Sequence, residues 1–389
     1  MNASNKQSPL FVLSGGGTGG HVYPSLAVAA ALAHGNSAAR VAYVGSPDGM
    51  EGDLVRREST LPFWSIDAAA VRGRGLRTLI HNSWRLLRGI VQAIRLIRRE
   101  QPAAIFGTGG YVCVPLFVAA WLLRVPSAIY LPDVVPGLAV RLLSRLATVT
   151  LASIDDAAPN VGLAVSDLQR WQPGRATMVV TGYPVRADIQ QGDRQATRAM
   201  LGLHDDTPLL LVYGGSRGAR SINYAVAALL PHILPEAVVL HVCGREGDEA
   251  PLRDMATTLP AALQARYHLY PYLAMDGALT MPAALVAADV TICRSGASVL
   301  GELPAAGLAA ILVPYPYVHQ DENADYLVRH GAAVKVADAQ QTNALWPALA
   351  PLLRDQQLRM RYQQAMMRLA TPNAATDMAH ILQRLAGGV

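Results

Sequence analysis

The chain has 389 residues, of which 51% are hydrophobic and 16% are charged, with a formal net charge of +5. This length accommodates two domains of ordinary size, each with an apolar core. The sequence contains no apolar run of eighteen residues, so no membrane-spanning helix is predicted. The positive charge suits an anionic partner, and nucleic acid is the least favoured such partner because the chain has no long basic block.

The first predicted elements are a strand at Leu10–Leu13 and a helix at Pro24–Leu32, joined by a glycine-rich loop. Five of the six residues from Gly15 to Gly20 are glycine, and the loop fits G-x-G-x-x-G with Gly17 as its second glycine. A backbone without Cβ atoms lets a ligand approach closely, and its N–H groups suit a phosphate. Tight packing between strand and helix explains this loop equally well when it is taken alone.

Strand-like runs then alternate with helix-like runs along the chain. They are continuously apolar, as expected for parallel strands that are covered on both faces. These runs are Val41–Val44, Ala103–Phe106, Ala128–Leu131, Thr148–Leu151, Leu209–Tyr213, Val238–Val242, Val290–Cys293 and Ala310–Val313. The alternation predicts an α/β, doubly wound architecture.

The order of strand, glycine loop and helix recurs in the stretches that begin at Ala103 and Leu209. Open α/β sheets bind ligands outside the carboxyl ends of their strands. Two doubly wound domains facing across a cleft would therefore place glycine loops on both walls. The predicted linker is Thr181–Arg186, with domains at 1–183 and 184–370, and the sequence leaves open whether a C-terminal helix at about 371–389 packs back on the first domain.

Other features of the sequence limit the chemistry. Three scattered cysteines, Cys113, Cys243 and Cys293, predict buried thiols in a reducing, cytoplasmic compartment rather than a disulfide framework or a zinc site. The short apolar run near the N-terminus predicts no signal peptide. No Asp-x-Asp pair occurs, and arginine and helix N-termini can hold a diphosphate instead, so no required metal is predicted.

Five stretches together resemble the MurG family: "GGTGGHVYPSLAVA", "GTGGYVCVP", "GYPVR", "GGSRGAR" and "CRSGASVLGELPAAG…HQDENA". They run in the family's order from Gly15 to Ala324. The family consists of peripheral membrane glycosyltransferases of GT-B fold, with two Rossmann-like domains, that convert lipid I to lipid II in peptidoglycan synthesis. The resemblance implies UDP-N-acetylglucosamine as donor, undecaprenyl-pyrophosphoryl-MurNAc-pentapeptide (lipid I) as acceptor, an anionic membrane surface as partner, no cofactor, and a place on the cytoplasmic face of the plasma membrane.

The resemblance also implies site residues. The implied donor-binding residues are Thr18, Gly19, Gly20, Asp133, Arg186, Ser216, Leu273, Ala297, Ser298, Val299, Leu300, Gly301, Glu302, Gln320 and Asn323. The implied acceptor diphosphate loops contain Gly17, Gly109, Gly110 and Tyr111.

Within this set the resemblance assigns separate roles. Arg186 and Ser216 would contact the donor diphosphate, and the Leu273 backbone would contact uracil. Glu302 would hold the ribose hydroxyls. Gln320 and Asn323 would bind the N-acetylglucosamine hydroxyls.

Physical chemistry alone leaves alternatives for these residues. Glu302 can accept hydrogen bonds from a diol, or it can be a first-turn acid favoured by a helix dipole. Arg186 can fork onto phosphate oxygens or stay solvated, and Ser216 can cap a helix or contact a phosphate. The amides of Gln320 and Asn323 suit sugar hydroxyls, but they also suit a polar helix start.

The chain departs from the family pattern at two places. The family usually has a His-Glu-Gln-Asn-like stretch where this chain has Tyr130-Leu131-Pro132-Asp133, so a contact of the usual Asn falls to Asp133 with a different charge. Residues Ala274–Thr280 read as an insertion beside the predicted base-binding loop.

His21 directly follows Gly20 and is the candidate catalytic residue. An inverting transfer needs a base that takes the proton of the attacking hydroxyl, and imidazole titrates near neutrality. A helix N-terminus disfavours the imidazolium ion and so favours a neutral, basic His21. A histidine that only orients the reacting hydroxyl explains the pattern equally well.

A basic amphipathic helix is predicted from Arg77, with six arginines before its first acid, Glu100. Seven apolar residues approximate one helical face: Leu79, Ile80, Leu87, Ile90, Val91, Ile94 and Ile97. Such a helix can lie on anionic lipid or pack on a core. The segment Ile90–Ile97 favours the core, whereas Trp84 and the Arg77–Arg88 end favour the membrane.

Three other functions are also considered for this sequence. A nucleotide-cofactor dehydrogenase would need an acid at the end of the second strand, where only Asp48 is near. A non-catalytic sugar-nucleotide or membrane-surface sensor would not need His21, Glu302 and Gln320. A related transferase acting on a diacylglycerol lipid is the closest competitor among enzymes.

Overall fold

The computed structural model describes residues 8–17, 19–35, 39–69, 76–169, 171–172, 177–203, 207–215, 217–274 and 277–387. The chain divides into two units: the first contains Met1–Arg186 and Pro372–Val389, and the second contains Ala187–Thr371. No helix among the described residues is both long and apolar enough to cross a membrane.

The first unit alternates strands and helices, as the sequence predicts. Its strands are β1 (Leu10–Ser14), β2 (Arg40–Gly45), β3 (Phe63–Ser65), β4 (Ala104–Gly107), β5 (Ser127–Leu131), β6 (Val149–Ala152), β7 (Ala164–Ser166) and β8 (Thr177–Val180). Its helices up to that point are α1 (Gly19–Gly35), α2 (Met50–Glu58), α3 (Leu76–Glu100), α4 (Cys113–Leu123), α5 (Leu138–Leu143) and α6 (Ala158–Val161).

Among the described residues of the first unit, eight strands form one parallel sheet in the order β3-β2-β1-β4-β5-β6-β8-β7. The central strands β1, β4, β5 and β6 are buried along their whole length, because helices cover both faces of the sheet. Their side chains pack with Leu116, Phe117 and Ile97 into one core.

The second unit has the same architecture. Its helices are α7 (Ala187–Gln190), α8 (Arg194–Met200), α9 (Arg220–Ile233), α10 (Glu249–Thr257), α11 (Ala261–Gln264), α12 (Met281–Ala287), α13 (Glu302–Ala306), α14 (Asp321–Arg329), α15 (Gln341–Arg354) and α16 (Gln356–Met367). Its strands are β9 (Leu209–Tyr213), β10 (Val238–Val242), β11 (Tyr267–Tyr270), β12 (Val290–Cys293), β13 (Ala309–Leu312) and β14 (Ala333–Lys335). In the described part of this unit, six parallel strands follow the order β11-β10-β9-β12-β13-β14.

The last helix, α17 (Ala374–Ala386), belongs to the first unit, where it packs against α1 and β4. The chain therefore passes between the units twice, after Arg186 and after Thr371. The buried face of α17 is apolar and includes Met378, Ile381 and Leu382.

The doubly wound α/β prediction is confirmed, and every predicted strand is present with bounds shifted by no more than one residue. The first helix begins at Gly19, earlier than the predicted Pro24, so that Pro24 lies inside α1. Proline has no N–H to donate to the carbonyl oxygen of Gly20. That oxygen instead accepts a hydrogen bond from the Tyr183 hydroxyl at 3.5 Å.

Two other sequence predictions can be compared with the structure. All three cysteines are free and buried, as predicted. Thr280, at the end of the predicted insertion, caps α12 by accepting a hydrogen bond from the Ala283 N–H, whereas Met275 and Asp276 lie outside the described residues.

A buried polar network holds the loop that follows β10 in the second unit. Asn223 is fully buried, and its amide donates to the carbonyl oxygen of Cys243 at 2.8 Å and to Asp248 at 2.9 Å. Its Oδ1 atom accepts from Nε2 of His241 at 3.0 Å. Burial lowers the pKa of His241 to about 3, so this histidine is a neutral structural residue.

The glycine loop after β9 packs directly on Cys243. A Cβ atom on Gly218 would lie 2.0 Å from the Cys243 carbonyl oxygen, and its φ is +89°. Gly215 has nearly the same φ of +91°, but a Cβ there would meet nothing within 4 Å. Alanine substitutions at these two positions therefore separate the cost of a positive φ from the cost of a collision between the added Cβ atom and the Cys243 carbonyl oxygen.

We expect both Gly215→Ala and Gly218→Ala to lower the free energy of unfolding by roughly 1–2 kcal/mol, the cost of a left-handed conformation for an L-residue. Gly218→Ala should lose about 1–3 kcal/mol more, because its Cβ overpacks the loop. Denaturant unfolding of the two variants measures the difference. Equal losses would show that the loop does not need this close approach.

Candidate functional site

In each unit the strand order reverses once between neighbouring central strands. The reversal lies between β1 and β4 in the first unit and between β9 and β12 in the second. Helices that follow such a strand pair cross to opposite faces and leave a crevice at the carboxyl ends of the strands. Among the described residues, the predicted site residues that follow β1, β4 and β12 lie at these two reversals.

The loops after β1 and β4 are joined by short hydrogen bonds. The Thr108 N–H donates to the Ser14 carbonyl at 3.0 Å, and the Thr108 hydroxyl donates to the His21 carbonyl at 2.6 Å. The Tyr43 hydroxyl donates to the Gly15 carbonyl at 2.7 Å. The start of α1 is thereby fixed to two other elements of the sheet.

The His21 ring is held by one of these loops. Its Nδ1 lies 2.8 Å from the Thr108 carbonyl oxygen. A carbonyl oxygen only accepts hydrogen bonds, so Nδ1 carries the proton of the neutral ring and Nε2 carries a lone pair. This tautomer is the one that a general base requires at Nε2.

Two opposing effects set the protonation of His21. Burial lowers its pKa below the ordinary value, whereas the Asp133 carboxylate and the hydrogen bond to Thr108 raise it. Burial is the larger effect, so the neutral ring is favoured at neutral pH. Asp133 follows β5, the strand beside β4, and its charge acts directly on the candidate base.

The other predicted residues of the first unit lie around this loop pair. Gly19 and Gly20 open α1, and Gly17 precedes them, while Thr18 lies outside the described residues. Gly109, Gly110 and Tyr111 follow β4. The Arg186 guanidinium lies 4.4 Å above the ring of Tyr23, which belongs to α1.

In the second unit, Glu302 lies beside the ends of both central strands. It is the first residue of α13, and its side chain is half-buried. Burial raises the pKa of Tyr213 well above its ordinary value, with further contributions from Cys293 and Glu302. Burial also raises the pKa of the Cys293 thiol to about 12, and Glu302 adds to this increase. The carboxylate therefore lies near residues at the ends of β9 and β12.

The segment between β12 and α13 forms a short 3-10 turn at Ala297–Leu300, followed by Gly301. Val299 and Leu300 are buried, and Ala297 and Ser298 are half-buried. Two of the predicted sugar contacts support this turn from α14 and the loop before it.

Gln320 and Asn323 differ in their surroundings. The side-chain Oε1 atom of Gln320 accepts a hydrogen bond from the Tyr315 N–H at 3.0 Å. The backbone carbonyl oxygen of Gln320 accepts one from the Ser295 hydroxyl at 2.8 Å. Asn323 is fully buried and donates to the Ser295 carbonyl at 3.0 Å. The structure thus gives Asn323 a positioning role on the loop after β12.

An arginine without an assigned role in the sequence analysis connects this loop to the start of α9. Arg294 pairs with Asp338 at 2.6 Å, and its other nitrogen donates to the Ser221 hydroxyl at 2.8 Å. Ser221 in turn donates to Asp338 at 2.8 Å. Ser221 and Asp338 are 117 residues apart, and no sequence spacing indicates this pairing.

Two predicted donor contacts remain without a described geometry. Leu273 is buried in the loop that follows β11, two strands away from the strand-order reversal. Ser216 lies outside the described residues. Among the residues that the structure describes, no three His, Cys, Asp or Glu side chains are grouped as a metal site.

The sequence matches two family models at these two units. The glycosyltransferase family 28 N-terminal domain matches residues 11–152, and the glycosyltransferase family 28 C-terminal domain matches residues 209–382. The chain belongs to glycosyltransferase family 28. The relatives and one solved structure place it within the MurG family, as the sequence resemblance implies.

A curated relative from Roseiflexus sp. (strain RS-1) is 52% identical over 96% of this chain and 94% of its own length. Another, from Desulforudis audaxviator (strain MP104C), is 39% identical over 97% of this chain and 98% of its own. Both are named UDP-N-acetylglucosamine--N-acetylmuramyl-(pentapeptide) pyrophosphoryl-undecaprenol N-acetylglucosamine transferase.

Solved structures agree with this assignment. The crystal structure of Acinetobacter baumannii MurG has a TM-score of 0.71 and 26% identity, and the match covers 97% of this chain and 99% of that one. A Neisseria meningitidis UDP-GlcNAc 2-epimerase bound to UDP-GlcNAc shares the fold alone, with a TM-score of 0.66 and 13% identity.

The geometry of His21 predicts a distinctive kinetic defect. If Nε2 is the base, His21→Ala should lower kcat by roughly 10²–10⁴ and abolish the acidic limb of the kcat/KM profile. Steady-state kinetics of His21→Ala and His21→Gln across pH provide the measurement.

Two alternatives give other patterns in the same experiment. An orienting histidine predicts a raised KM for the acceptor with a persistent acidic limb. A purely structural histidine predicts a lower melting temperature with near-normal turnover in the folded fraction. A folded variant with kcat within a few-fold of the parent chain would end the catalytic interpretation.

The electrostatic effect of Asp133 predicts a change of pH profile without loss of the base. Asp133→Asn removes a charge that raises the pKa of His21. The acidic limb of kcat/KM should therefore move to lower pH. Asp53→Asn is the control, because its parent side chain is 91% exposed on α2. An unchanged limb in Asp133→Asn, or a shift to higher pH, contradicts the coupling.

Proposed function

We propose that this chain transfers N-acetylglucosamine from UDP-N-acetylglucosamine to the 4-hydroxyl of the N-acetylmuramoyl group of lipid I, giving lipid II. The observation that carries the proposal is 52% identity, over 96% of the chain, to a relative named for this transfer. The neutral His21, with its lone pair on Nε2 at the strand-order reversal of the first unit, supplies the chemistry that such a transfer needs.

The reaction proceeds with inversion. The acceptor hydroxyl oxygen forms a bond to the anomeric carbon as the bond from that carbon to the diphosphate oxygen breaks. Nε2 of His21 takes the hydroxyl proton, and the leaving UDP keeps the bonding electron pair. The base is needed because a neutral hydroxyl is a weak nucleophile.

The donor is held mainly by residues of the second unit. The Glu302 carboxylate accepts hydrogen bonds from the ribose hydroxyls, and the turn at Ala297–Leu300 contacts the ribose and the phosphates. No side chain caps the N-terminus of α9, so its backbone N–H groups are available to bind the diphosphate. Ser216 and Arg186 contact the same diphosphate. Gln320 binds the sugar hydroxyls, and the Leu273 backbone contacts uracil.

The acceptor diphosphate lies at the glycine loops of the first unit, around Gly17, Gly109, Gly110 and Tyr111. Thr18, Gly19 and Gly20 contact both the donor sugar and the acceptor diphosphate. No step of the reaction needs a metal ion. Full activity in excess EDTA is therefore expected, and a loss restored by Mg²⁺ contradicts this part of the proposal.

Reaction products test the function directly. The purified chain, given UDP-N-acetylglucosamine and a lipid I analogue, should release UDP in proportion to a β-linked disaccharide product. Coupled detection of UDP and NMR of the anomeric proton measure both. An α-linked product, or no UDP release with any polyprenyl-diphosphate sugar, contradicts the proposal.

The membrane surface enters the proposal through helix α3. Ile80, Trp84, Leu87 and Val91 recur at helical spacing and are 62%, 68%, 56% and 46% exposed. The prediction that Ile80, Leu87 and Val91 share one face with Ile97 is wrong, because Ile97 is buried in the core on another face of the helix.

An exposed apolar stripe on a basic helix is typical of a surface that lies on anionic lipid. Arg98 is exposed and lies seven residues after Val91 on the same side of the helix, and a basic side chain near such a surface contributes about 1 kcal/mol. The chain would thus bind peripherally at the cytoplasmic face of the plasma membrane, where a lipid-linked acceptor is available.

We expect the double variant Trp84→Ser, Leu87→Ser to bind anionic phosphatidylglycerol vesicles at least about tenfold more weakly than the parent chain, because it loses most of the exposed apolar area of α3. Vesicle sedimentation measures the change. Met360→Ser is a matched control, since its parent side chain is 46% exposed in the second unit. Equal binding of the parent chain and the double variant contradicts a role for this stripe.

A further inference from the structure

A cavity of about 290 Å³ with a mixed polar and apolar lining lies in the first unit beside the His21 loop pair. It is lined by Ser46, Asp48, residues 68–69, Asn82, Arg85 and Tyr111. These residues follow β2, β3 and β4 or come from the first half of α3. The cavity therefore opens at the same edge of the sheet as His21, and Tyr111 is three residues from the Thr108 that holds the His21 ring.

The charges of the cavity disfavour a diphosphate. Asp48 and Arg85 form a pair at 3.3 Å, so the single guanidinium of the lining is already balanced. Directly behind Ser46 lies Glu51, which is 1% exposed. A ligand with two or more negative charges would meet one cation and two carboxylates, whereas a ligand of amide groups meets no such repulsion.

The hydrogen-bonding groups of the cavity favour a peptide chain. The Ser46 hydroxyl donates its proton to Glu51 at 2.6 Å, and the Ser46 N–H donates to the same oxygen at 2.9 Å. The Ser46 oxygen thus offers only lone pairs to the cavity and can accept from a peptide N–H. Arg85 offers N–H donors to a peptide carbonyl or carboxylate, and Asn82 can donate and accept.

We propose that this cavity binds the peptide arm of the acceptor. The inference rests on the proposed function, in which the acceptor is a muramyl-pentapeptide and its sugar hydroxyl reaches His21. The peptide is attached to that same sugar, so its first residues start close to His21 and within reach of this cavity. The cavity gives this peptide both acceptor and donor groups at the edge of the sheet where His21 lies.

The test compares two acceptors with the same lipid, diphosphate and sugar. One carries the pentapeptide, and in the other a methylamide replaces the peptide on the lactyl group. The parent chain should prefer the pentapeptide acceptor in kcat/KM. Arg85→Ala and Asn82→Ala should reduce this preference by about tenfold or more through KM, as expected when a hydrogen bond to a charged or amide group is lost.

Soluble short-chain acceptors in detergent remove the contribution of the membrane from this comparison. Arg95→Ala is the matched control, because Arg95 is exposed on the same helix away from the cavity. Arg85→Ala and Asn82→Ala report independently, so a folding defect in one leaves the other informative. Thermal unfolding of each variant identifies such a defect.

The outcomes separate this inference from the proposed function. Three results overturn the peptide site while transfer itself stands. The parent chain shows no preference for the pentapeptide acceptor, both variants keep the preference unchanged, or the variants lose kcat/KM equally with both acceptors. If the parent chain turns over neither acceptor, the proposed function fails and the peptide site falls with it.

Discussion

The hydrogen bond from His21 Nδ1 to the Thr108 carbonyl oxygen is the interaction on which the catalytic account depends. It joins the loops of two strands that are neighbours only because the strand order reverses between β1 and β4. It also decides which ring nitrogen keeps a lone pair. Without it the ring could rotate or change tautomer, and its position at the crevice would not give a base.

The electrostatics of the first unit follow from this arrangement. Burial keeps the ring neutral, and the Asp133 carboxylate limits how far burial lowers the pKa of His21. A base whose pKa is too low accepts a proton poorly, and one whose pKa is too high is already protonated. Asp133 is therefore expected to affect the candidate base through its charge as well as through any direct contact.

The two units divide the chemistry between them. The first contains the candidate base His21, the exposed α3 stripe and the cavity beside the glycine loops. The second contains Glu302 and the 3-10 turn, which Arg294, Ser295 and Asn323 hold in place. These supporting residues are buried or nearly so, because a loop that binds a flexible nucleotide must be fixed before the ligand arrives.

Much of this could be predicted from the sequence. Continuous apolar runs predicted the central strands, since a strand covered on both faces needs apolar residues at every position. The edge strands β3, β7, β11 and β14 were not predicted, because segments of three or four partly exposed residues give neither a continuous apolar run nor a clear period. On α3 only Val91 of the exposed stripe was misassigned to the core, as part of the segment Ile90–Ile97, since two apolar faces on one helix overlap in a one-dimensional pattern.

Contacts distant in sequence were also beyond prediction from a single chain. His21 and Thr108 are 87 residues apart, and Arg294 and Asp338 are 44 apart. The glycines next to His21 and next to Thr108 predicted two loops, but they did not predict that these two residues would form a hydrogen bond. The burial of Asn323 was equally invisible, because an amide that positions a loop and an amide that binds a sugar have the same sequence signature.

The protonation state of His21 is the most direct test of the account. Nitrogen NMR of histidine-labelled protein, with His21→Gln to assign the signal among the ten histidines, reports both the tautomer and the pKa. The account predicts a neutral ring at pH 7, protonated at Nδ1, with a pKa below 6.5. An Nε2-protonated ring, or a pKa above 6.5, would contradict it.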